Sequence, residues 1–315
     1  MPESFFILSK DYLELGIDEI ISLAKTYDRF SKIKIISNLV IVQSKTNWSK
    51  ILKRASFVKT SGQILRKMSG LFLDEENLGI LKNAKTFVCR IINLSSNQFN
   101  IPELESSMGD MISKFSHAKV KLEDPDITIY LIFTDKENFF GFSTKIKKNT
   151  RPKKNKKYPH ELDWKLTRTM INLVGLKEGD TVCDPFCGTG TTLLEAESMG
   201  IHAIGLDFDE KMVNMSKENL RTNEYNSDVI KSDFQEFLKL SGKFQGIVTD
   251  LPYGRSSKTS EKPEEILKRF VSILPKRKRI AIMYKKGLEN KLKLNGMKKY
   301  EIYRHKSLTR IILVK

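Results

Sequence analysis

The sequence predicts an α/β protein in two parts: a carboxyl-terminal, doubly wound, mostly parallel sheet with helices on both faces, preceded by an α+β half. Three observations predict it. From about residue 161, strand-like and helix-like patterns alternate regularly, as they do when a parallel sheet is covered on both faces. Two apolar runs end in polar, sharply turning loops, Asp184-Pro185-Phe186-Cys187-Gly188-Thr189-Gly190-Thr191 and Asp250-Leu251-Pro252-Tyr253-Gly254. The strands of an open sheet end this way where a ligand binds beyond their carboxyl ends. Between the halves, positions 145–157 carry eight basic residues and no acid, so like-charge repulsion predicts an extended, solvated linker.

Upstream of the linker, runs rich in β-branched and aromatic residues predict strands at Phe5–Leu8, within Lys34–Val42, at Thr86–Leu94 and at Ala118–Leu122. Ile127–Phe133 and Phe139–Ser143 form a hairpin-like pair, and helical spacing predicts helices near Ile17–Tyr27 and over Ile101–Phe115. His117 stands alone, and no catalytic constellation appears, so this half is assigned to binding. Downstream, Asp163 caps a helix running to about Val174, with Leu166, Met170 and Leu173 at helical spacing. Then come helix Thr191–Met199 closed by Gly200, strand Ala203–Leu206, helix Glu210–Thr222, and strands Val229–Ile230 and Gly246–Val248. Helix Pro263–Ile273, strand Ile280–Met283, a helix near Lys286–Lys291 and a last strand Thr309–Val314 complete the half.

A chain of 315 residues, 40% hydrophobic, can bury a sizeable core in two or three domains. With 55 Lys plus Arg against 38 Asp plus Glu, a formal charge of +17 makes nucleic acid the leading partner. No apolar run approaches the roughly 18–20 residues that span a bilayer, and the amino terminus does not read as a signal peptide, so a soluble, cytoplasmic protein is expected, without membrane contact. Cys89, Cys183 and Cys187 form no zinc-type pairs, so neither a metal site nor a structural disulfide is expected.

The first loop selects the cofactor class. Gly188 and Gly190 let the backbone approach a ligand, Asp184 can accept from a cationic or amino group, and Pro185, Phe186, Cys187 and Thr191 complete the turn. A phosphate-cradling loop would end in Gly-Lys-Ser/Thr, whereas Thr191 follows Gly190 directly, and the dinucleotide fingerprint lacks its third glycine. Asp207 lies 17 residues beyond Gly190, near the spacing at which a carboxylate grips ribose hydroxyls. A ribose without pyrophosphate is therefore favoured, with Phe208 beside that acid. Ser232-Asp233-Phe234 offers an acceptor for an adenine amino group beside an aromatic wall. Through Asp184-Pro185-Phe186-Cys187-Gly188-Thr189-Gly190, Asp207 and Asp233 the chain resembles class I S-adenosylmethionine-dependent methyltransferases, with their Rossmann-like sheet. The resemblance implies S-adenosylmethionine as cofactor, its methionyl part over the glycine loop, ribose on Asp207 and adenine at Asp233.

The second loop selects the substrate. An exocyclic amine on a base is a poor nucleophile because its lone pair is delocalised into the ring. Asp250 and the Leu251 carbonyl can accept its two N–H bonds while Tyr253 stacks on the base and Pro252 stiffens the turn. A C5 methyltransferase would need a cysteine nucleophile, and none is present at this strand end. The motif resembles the Asp-Pro-Pro-Tyr pattern of amino-methyltransferases, with Leu251 where proline is usual. Val120-Lys121-Leu122-Glu123-Asp124-Pro125-Asp126, Ile127–Phe133 and Phe139-Phe140-Gly141 resemble the close of a THUMP RNA-binding domain. Tyr158-Pro159-His160-Glu161-Leu162, the Asp250–Ser257 stretch and Ser307-Leu308-Thr309-Arg310 resemble the archaeal tRNA (guanosine-10-N2)-methyltransferases.

That resemblance implies a ferredoxin-like domain over 1–55, THUMP over 56–145, the linker over 146–160 and the methyltransferase domain over 161–315. It implies guanine 10 of tRNA as substrate, flipped into the Asp250 pocket, and, from the archaeal relatives, a self-sufficient enzyme; a monomer is expected, with a protein partner left open. Lys147, Lys148, Lys153, Lys154, Lys156, Lys157 and Arg255 are the expected phosphate contacts. Two alternatives stand beside this reading: an N6-adenine or N2-guanine methyltransferase on ribosomal RNA, DNA or another tRNA position, and a non-catalytic RNA-binding protein with a vestigial methyltransferase fold.

Overall fold

The computed structural model describes residues 1–68, 79–146, 151–157, 161–252, 262–288, 296–305 and 308–315. They fall into two compact units. The first comprises Met1–Leu13, Asp28–Lys53 and Val58–Lys148, the second Glu14–Tyr27, Arg54–Phe57 and Asn149–Lys315.

The first unit is built on an eight-stranded sheet. Its strands are β1 (Glu3–Leu8), β2 (Lys32–Ile36), β3 (Leu39–Gln43), β4 (Val58–Met68), β5 (Thr86–Asn93), β6 (Lys119–Val120), β7 (Ile127–Phe133) and β8 (Asn138–Thr144). The order is β2-β3-β1-β4-β8-β7-β5-β6, antiparallel except for the parallel pairs β5/β7 and β5/β6. One run expected between Lys34 and Val42 is in fact two strands, β2 and β3. They reverse at Ser37, whose φ of 54° is left-handed, and at Asn38, whose side chain donates to the Leu8 carbonyl at 2.8 Å. The division expected at 55/56 is crossed by the sheet, because β4 pairs with β1 over Ile64↔Glu3 to Val58↔Leu8. One face buries Phe5, Ile7, Leu39, Ile41, Ile132 and Phe139. The other buries Phe87, Cys89, Ile129, Leu131 and Phe140 against Met108 and Ile112 of helix α3 (Ile101–Phe115). Between β3 and β4 runs helix α2 (Trp48–Arg54), whose last residue belongs to the second unit.

The second unit is a doubly wound sheet of seven strands: β9 (Thr181–Asp184), β10 (His202–Asp207), β11 (Asp228–Lys231), β12 (Gly246–Asp250), β13 (Arg279–Lys285), β14 (Lys298–His305) and β15 (Leu308–Val314). The order is β11-β10-β9-β12-β13-β15-β14. The first five in that order run parallel, and β15 and β14 return antiparallel. Strand β14 is absent from the sequence reading. Helices α4 (Trp164–Leu173), α5 (Thr191–Ser198), α6 (Glu210–Thr222) and α7 (Pro263–Ser272) connect them. Asp163 caps α4 as expected, accepting from the backbone N–H groups of Lys165 and Leu166, and Asp209 caps α6 through Lys211. The expected helix near Lys286–Lys291 lies partly outside the described residues.

Helix α1 (Leu13–Tyr27) belongs to this second unit from Glu14 onward. Glu19 on α1 is fully buried and accepts from the α4 side chains of Thr169, at 3.1 Å, and Asn172, at 2.7 Å. Arg54, also buried, donates to Asn172 Oδ1 and to the Leu176 carbonyl. The second unit is therefore completed by segments from the first sixty residues. Among the described residues no helix is long and apolar enough to cross a membrane, and no group of three or more His, Cys, Asp or Glu could hold a metal.

Candidate active site

The strand order reverses between β9 and β12, which is where a crevice opens beyond the carboxyl ends of a doubly wound sheet. Both polar loops leave from these two strands. A half-open pocket of about 130 Å³ lies there, lined among others by Glu161, Asp184, Gly188, Thr191, Thr192 and Asp250. Asp184 and Asp250, 66 positions apart in the sequence, thus face one space.

Asp184 is buried at the end of β9, where its carboxylate accepts from Thr249 Oγ1 at 2.5 Å, the Phe186 N–H at 3.0 Å, and Thr192. These donors are neutral, so burial dominates and pushes the carboxyl up to about 6. A desolvated acid held by dipoles alone favours a cationic ligand group beside it. The backbone here is made for close approach. Gly190 caps α5 in the left-handed region, φ 85°, and a Cβ there would sit 2.4 Å from the buried Ser216 Oγ. No larger residue fits both constraints. Pro185 continues the turn. Cys183 and Cys187 are buried free thiols whose pKa burial raises, so both pack as small apolar groups.

Asp207, at the end of β10, closes the glycine loop from the other side. Its two oxygens accept from the N–H groups of Gly188 and Asp209, each at 2.9 Å, and burial raises its pKa. The next residue, Phe208, is 47% exposed, an aromatic face open at a ligand-binding strand end. Phe234 differs from its expected role: it is 5% exposed, sits in the core against Phe186 and Phe270, and carries Arg269 over its ring at 4.7 Å. The expected aromatic wall is therefore already occupied by protein. Asp233 caps the following 3-10 turn through the Gln235 N–H at 2.9 Å, and Ser232 Oγ donates to its carbonyl.

At the end of β12, Leu251 puts its side chain into the core and donates its N–H to the Met283 carbonyl at 2.9 Å. Pro252 follows, half-buried. Tyr253 and Arg255 lie outside the described residues. Asp250 is partly exposed to the pocket and is ion-paired with Arg310 of β15, whose side chain is 4% exposed. Burial holds that guanidinium below its ordinary value, to about 9.

The basic linker is not a free tether over its described part. Asn219 of α6 and Asn223, its C-cap, clasp the backbone of Lys156 and Lys153, each side chain both accepting from the N–H and donating to the carbonyl at 2.6–2.9 Å. Arg151 lies over the Trp164 ring. Lys153, Lys156 and Lys157 stay exposed, whereas Lys147 and Lys148 lie outside the described residues. Lys154 differs from the expected phosphate contact: its ammonium turns inward, 2.5 Å from Thr191 Oγ1 and 2.9 Å from Glu161, with a side chain only 10% exposed. Burial lowers its pKa. Glu161 also accepts from Thr189 Oγ1 at 2.7 Å. Neither Glu161 nor Arg310 received a role from the sequence, although both lie inside stretches that carry the family resemblance.

The raised pKa of Asp184 has a measurable consequence. Because its folded value, about 6, exceeds the ordinary 3.8, its contribution to stability is complete below about pH 4 and is lost as pH rises through about 6. Asp184→Asn is therefore expected to raise the unfolding free energy of the ligand-free protein at pH 8, read from urea melts, by roughly 2–3 kcal/mol at most. The gain should vanish near pH 4, and cofactor affinity should fall. Equal urea midpoints for variant and wild type at pH 8 would refute the burial penalty.

The family described as RMKL-like, methyltransferase domain, matches residues 151–310, and a family described as DNA methylase matches residues 9–218. A tRNA (guanine(10)-N2)-dimethyltransferase from Methanothermobacter thermautotrophicus is 30% identical over 99% of this chain and 98% of its own length. One of the same name from Methanocaldococcus jannaschii is 27% identical over 98% of both chains. The crystal structure of TrmN from Thermus thermophilus superposes with a TM-score of 0.60 at 16% identity, over 100% of this chain and 99% of that one.

Proposed function

We infer the function from the premise that the chain belongs to the RMKL-like methyltransferase-domain family, with the tRNA (guanine(10)-N2)-dimethyltransferases among its relatives. It is an S-adenosylmethionine-dependent tRNA (guanine-N2)-methyltransferase, and we propose position 10 as its target guanine. The observation that carries this reading is one pocket lined both by the glycine loop with its buried Asp184 and by Asp250 of the second loop.

The residues fit the cofactor. The neutral-donor cradle of Asp184 suits an ammonium, Gly188, with open space where a side chain would stand, leaves room for the methionyl chain, Asp207 retains lone pairs for ribose hydroxyls, and Phe208 can stack on adenine. Lys154 with Thr191, at the amino end of α5, suits the carboxylate. Bound there, the cofactor supplies an electrophilic methyl group on a sulfonium. Asp250 accepts a hydrogen bond from the guanine N2 amine, holding its lone pair in line and dispersing the positive charge that develops as the N–C bond forms and the S–C pair stays on sulfur. The N2 proton then passes to the Asp250 carboxylate that accepts its hydrogen bond, and from there to solvent.

Guanine N2 is buried in a folded tRNA, so the base must be extruded at a cost of a few kcal/mol, offset by contacts elsewhere. The amino-terminal unit, read as ferredoxin-like and THUMP modules, and the exposed strap lysines are assigned that role. A cytoplasmic location goes with this substrate. Lys153→Ala/Lys156→Ala/Lys157→Ala is expected to raise KM for tRNA and to lower the slope of log affinity against log salt by roughly 2–3, read from binding titrations at several salt concentrations. An unchanged slope removes the strap from the RNA interface.

The decisive experiment is nucleoside mass spectrometry of an unmodified tRNA transcript incubated with the protein and cofactor. N2-methylguanosine followed by N2,N2-dimethylguanosine, both mapped to position 10, is expected. Methylated adenosine, or guanosine modified elsewhere, would replace this reading.

A further inference from the structure

Strand β15 carries one buried cation among apolar neighbours, Arg310 beside Ile311, Ile312 and Leu313. In register it pairs with Lys285 of β13, while Asp250 of β12 pairs with Met283 of the same strand. The guanidinium therefore reaches across β13 to the carboxylate, and its Nη2 donates to Asp250 Oδ1. A buried cation is retained at a catalytic edge only if it is paired, because taking it out of water is otherwise strongly unfavourable. Arginine keeps its charge at neutral pH and presents a rigid, planar set of donors. Tied to it, Asp250 loses one of its rotational options and commits one oxygen, leaving the other as the acceptor available to the pocket.

We propose that Arg310 is the positioning residue of the transfer step: it fixes the Asp250 carboxylate so that one oxygen is presented, ionised, to the substrate amine. This rests on the reading of Asp250 as the group that receives that amine. Two effects separate. The guanidinium geometry aims the carboxylate and so governs kcat. Its positive charge favours the ionised acid and so governs where activity is lost on acidification.

The test uses the full chain, an unmodified tRNA transcript and single-turnover transfer of labelled methyl across the pH range. Cofactor-product affinity is measured by calorimetry with S-adenosylhomocysteine. Arg310→Gln is expected to lower kcat about 100-fold, to move the acid limb of the profile up by about one pH unit, and to leave KM and cofactor-product affinity within about twofold. Arg310→Lys keeps the charge without the fork, so kcat is expected to fall about tenfold with the acid limb in place. In the cycle with Asp250→Asn, the double variant should be no slower than Asp250→Asn alone. Wild-type kcat and acid limb in Arg310→Gln, or an additive cycle, overturns the proposal. If Arg310→Gln fails to fold, Arg310→Lys decides, and a kcat within twofold of wild type overturns it. Should the wild-type protein methylate no nucleoside of that RNA, both this assignment and the functional reading fall. An active wild type with an indifferent Arg310 removes this assignment alone.

Discussion

Asp250→Asn is expected to lower kcat by about three orders of magnitude while cofactor and tRNA affinities stay within a few-fold. The substitution is isosteric, which separates chemistry from shape. Arg310 donates to one side of residue 250, so the amide oxygen turns toward it and the NH2 group faces the pocket. A donor then meets the N–H of the base amine where an acceptor is needed. The amine loses its alignment and the developing charge on nitrogen loses its counterpart, while the glycine loop, Asp184 and Asp207 are untouched. Single-turnover transfer, together with calorimetry of the cofactor product, checks both halves of the expectation. Near-normal turnover would remove Asp250 from the reaction. A loss of cofactor affinity large enough to account for the slower rate would move it into the cofactor site instead.

The parallel half was legible because its signals are local. Each of β9, β10 and β12 is a short apolar run ended by an acid and a turn, and the acids at 184, 207 and 250 were found from that pattern. Strand β14 was missed because, as an edge strand, it buries only Tyr300 and Ile302 among eight residues. Its apolar alternation is two positions long. Helix α2, seven residues from Trp48 to Arg54, is too short for a 3.6-residue period to declare itself. Lys154 read as one more member of a charge run, and only the clasp of Asn219 and Asn223 on the strap brings its neighbour inward to Thr191. Arg310 did carry a signal: a cation directly before Ile311-Ile312-Leu313-Val314 in a core strand is costly unless paired, and that could have marked it. The company of α1 was not legible at all, since Glu19 and Asn172 meet across 153 positions of sequence.

That last contact carries the largest expected effect on stability. Asn172 is fully buried and accepts from Arg54 Nε and Nη2 at 3.2 and 3.0 Å, while its Nδ2 donates to Glu19 Oε1 at 2.7 Å and to the Arg54 carbonyl at 3.0 Å. One amide thus mediates between a buried carboxylate and a buried guanidinium. Asn172→Ala is expected to destabilise the protein by about 3–5 kcal/mol, because it strips partners from two buried charged groups without removing either. In a unit of this size the melting temperature should fall by roughly 10 °C, read by thermal unfolding followed by circular dichroism. Asn172→Leu should do no better, since the charges remain. Replacing Glu19, Arg54 and Asn172 together by apolar residues of similar volume should recover much of the loss. A melting temperature within a degree or two of wild type for Asn172→Ala would mean that the network does not hold α1 on α4. If it does hold, the expected domain start at 161 cuts through a folded unit. A fragment beginning there leaves the buried side chains of Thr169 and Asn172 without α1 and Arg54, and should fail to fold, whereas the full chain folds with its cofactor pocket formed.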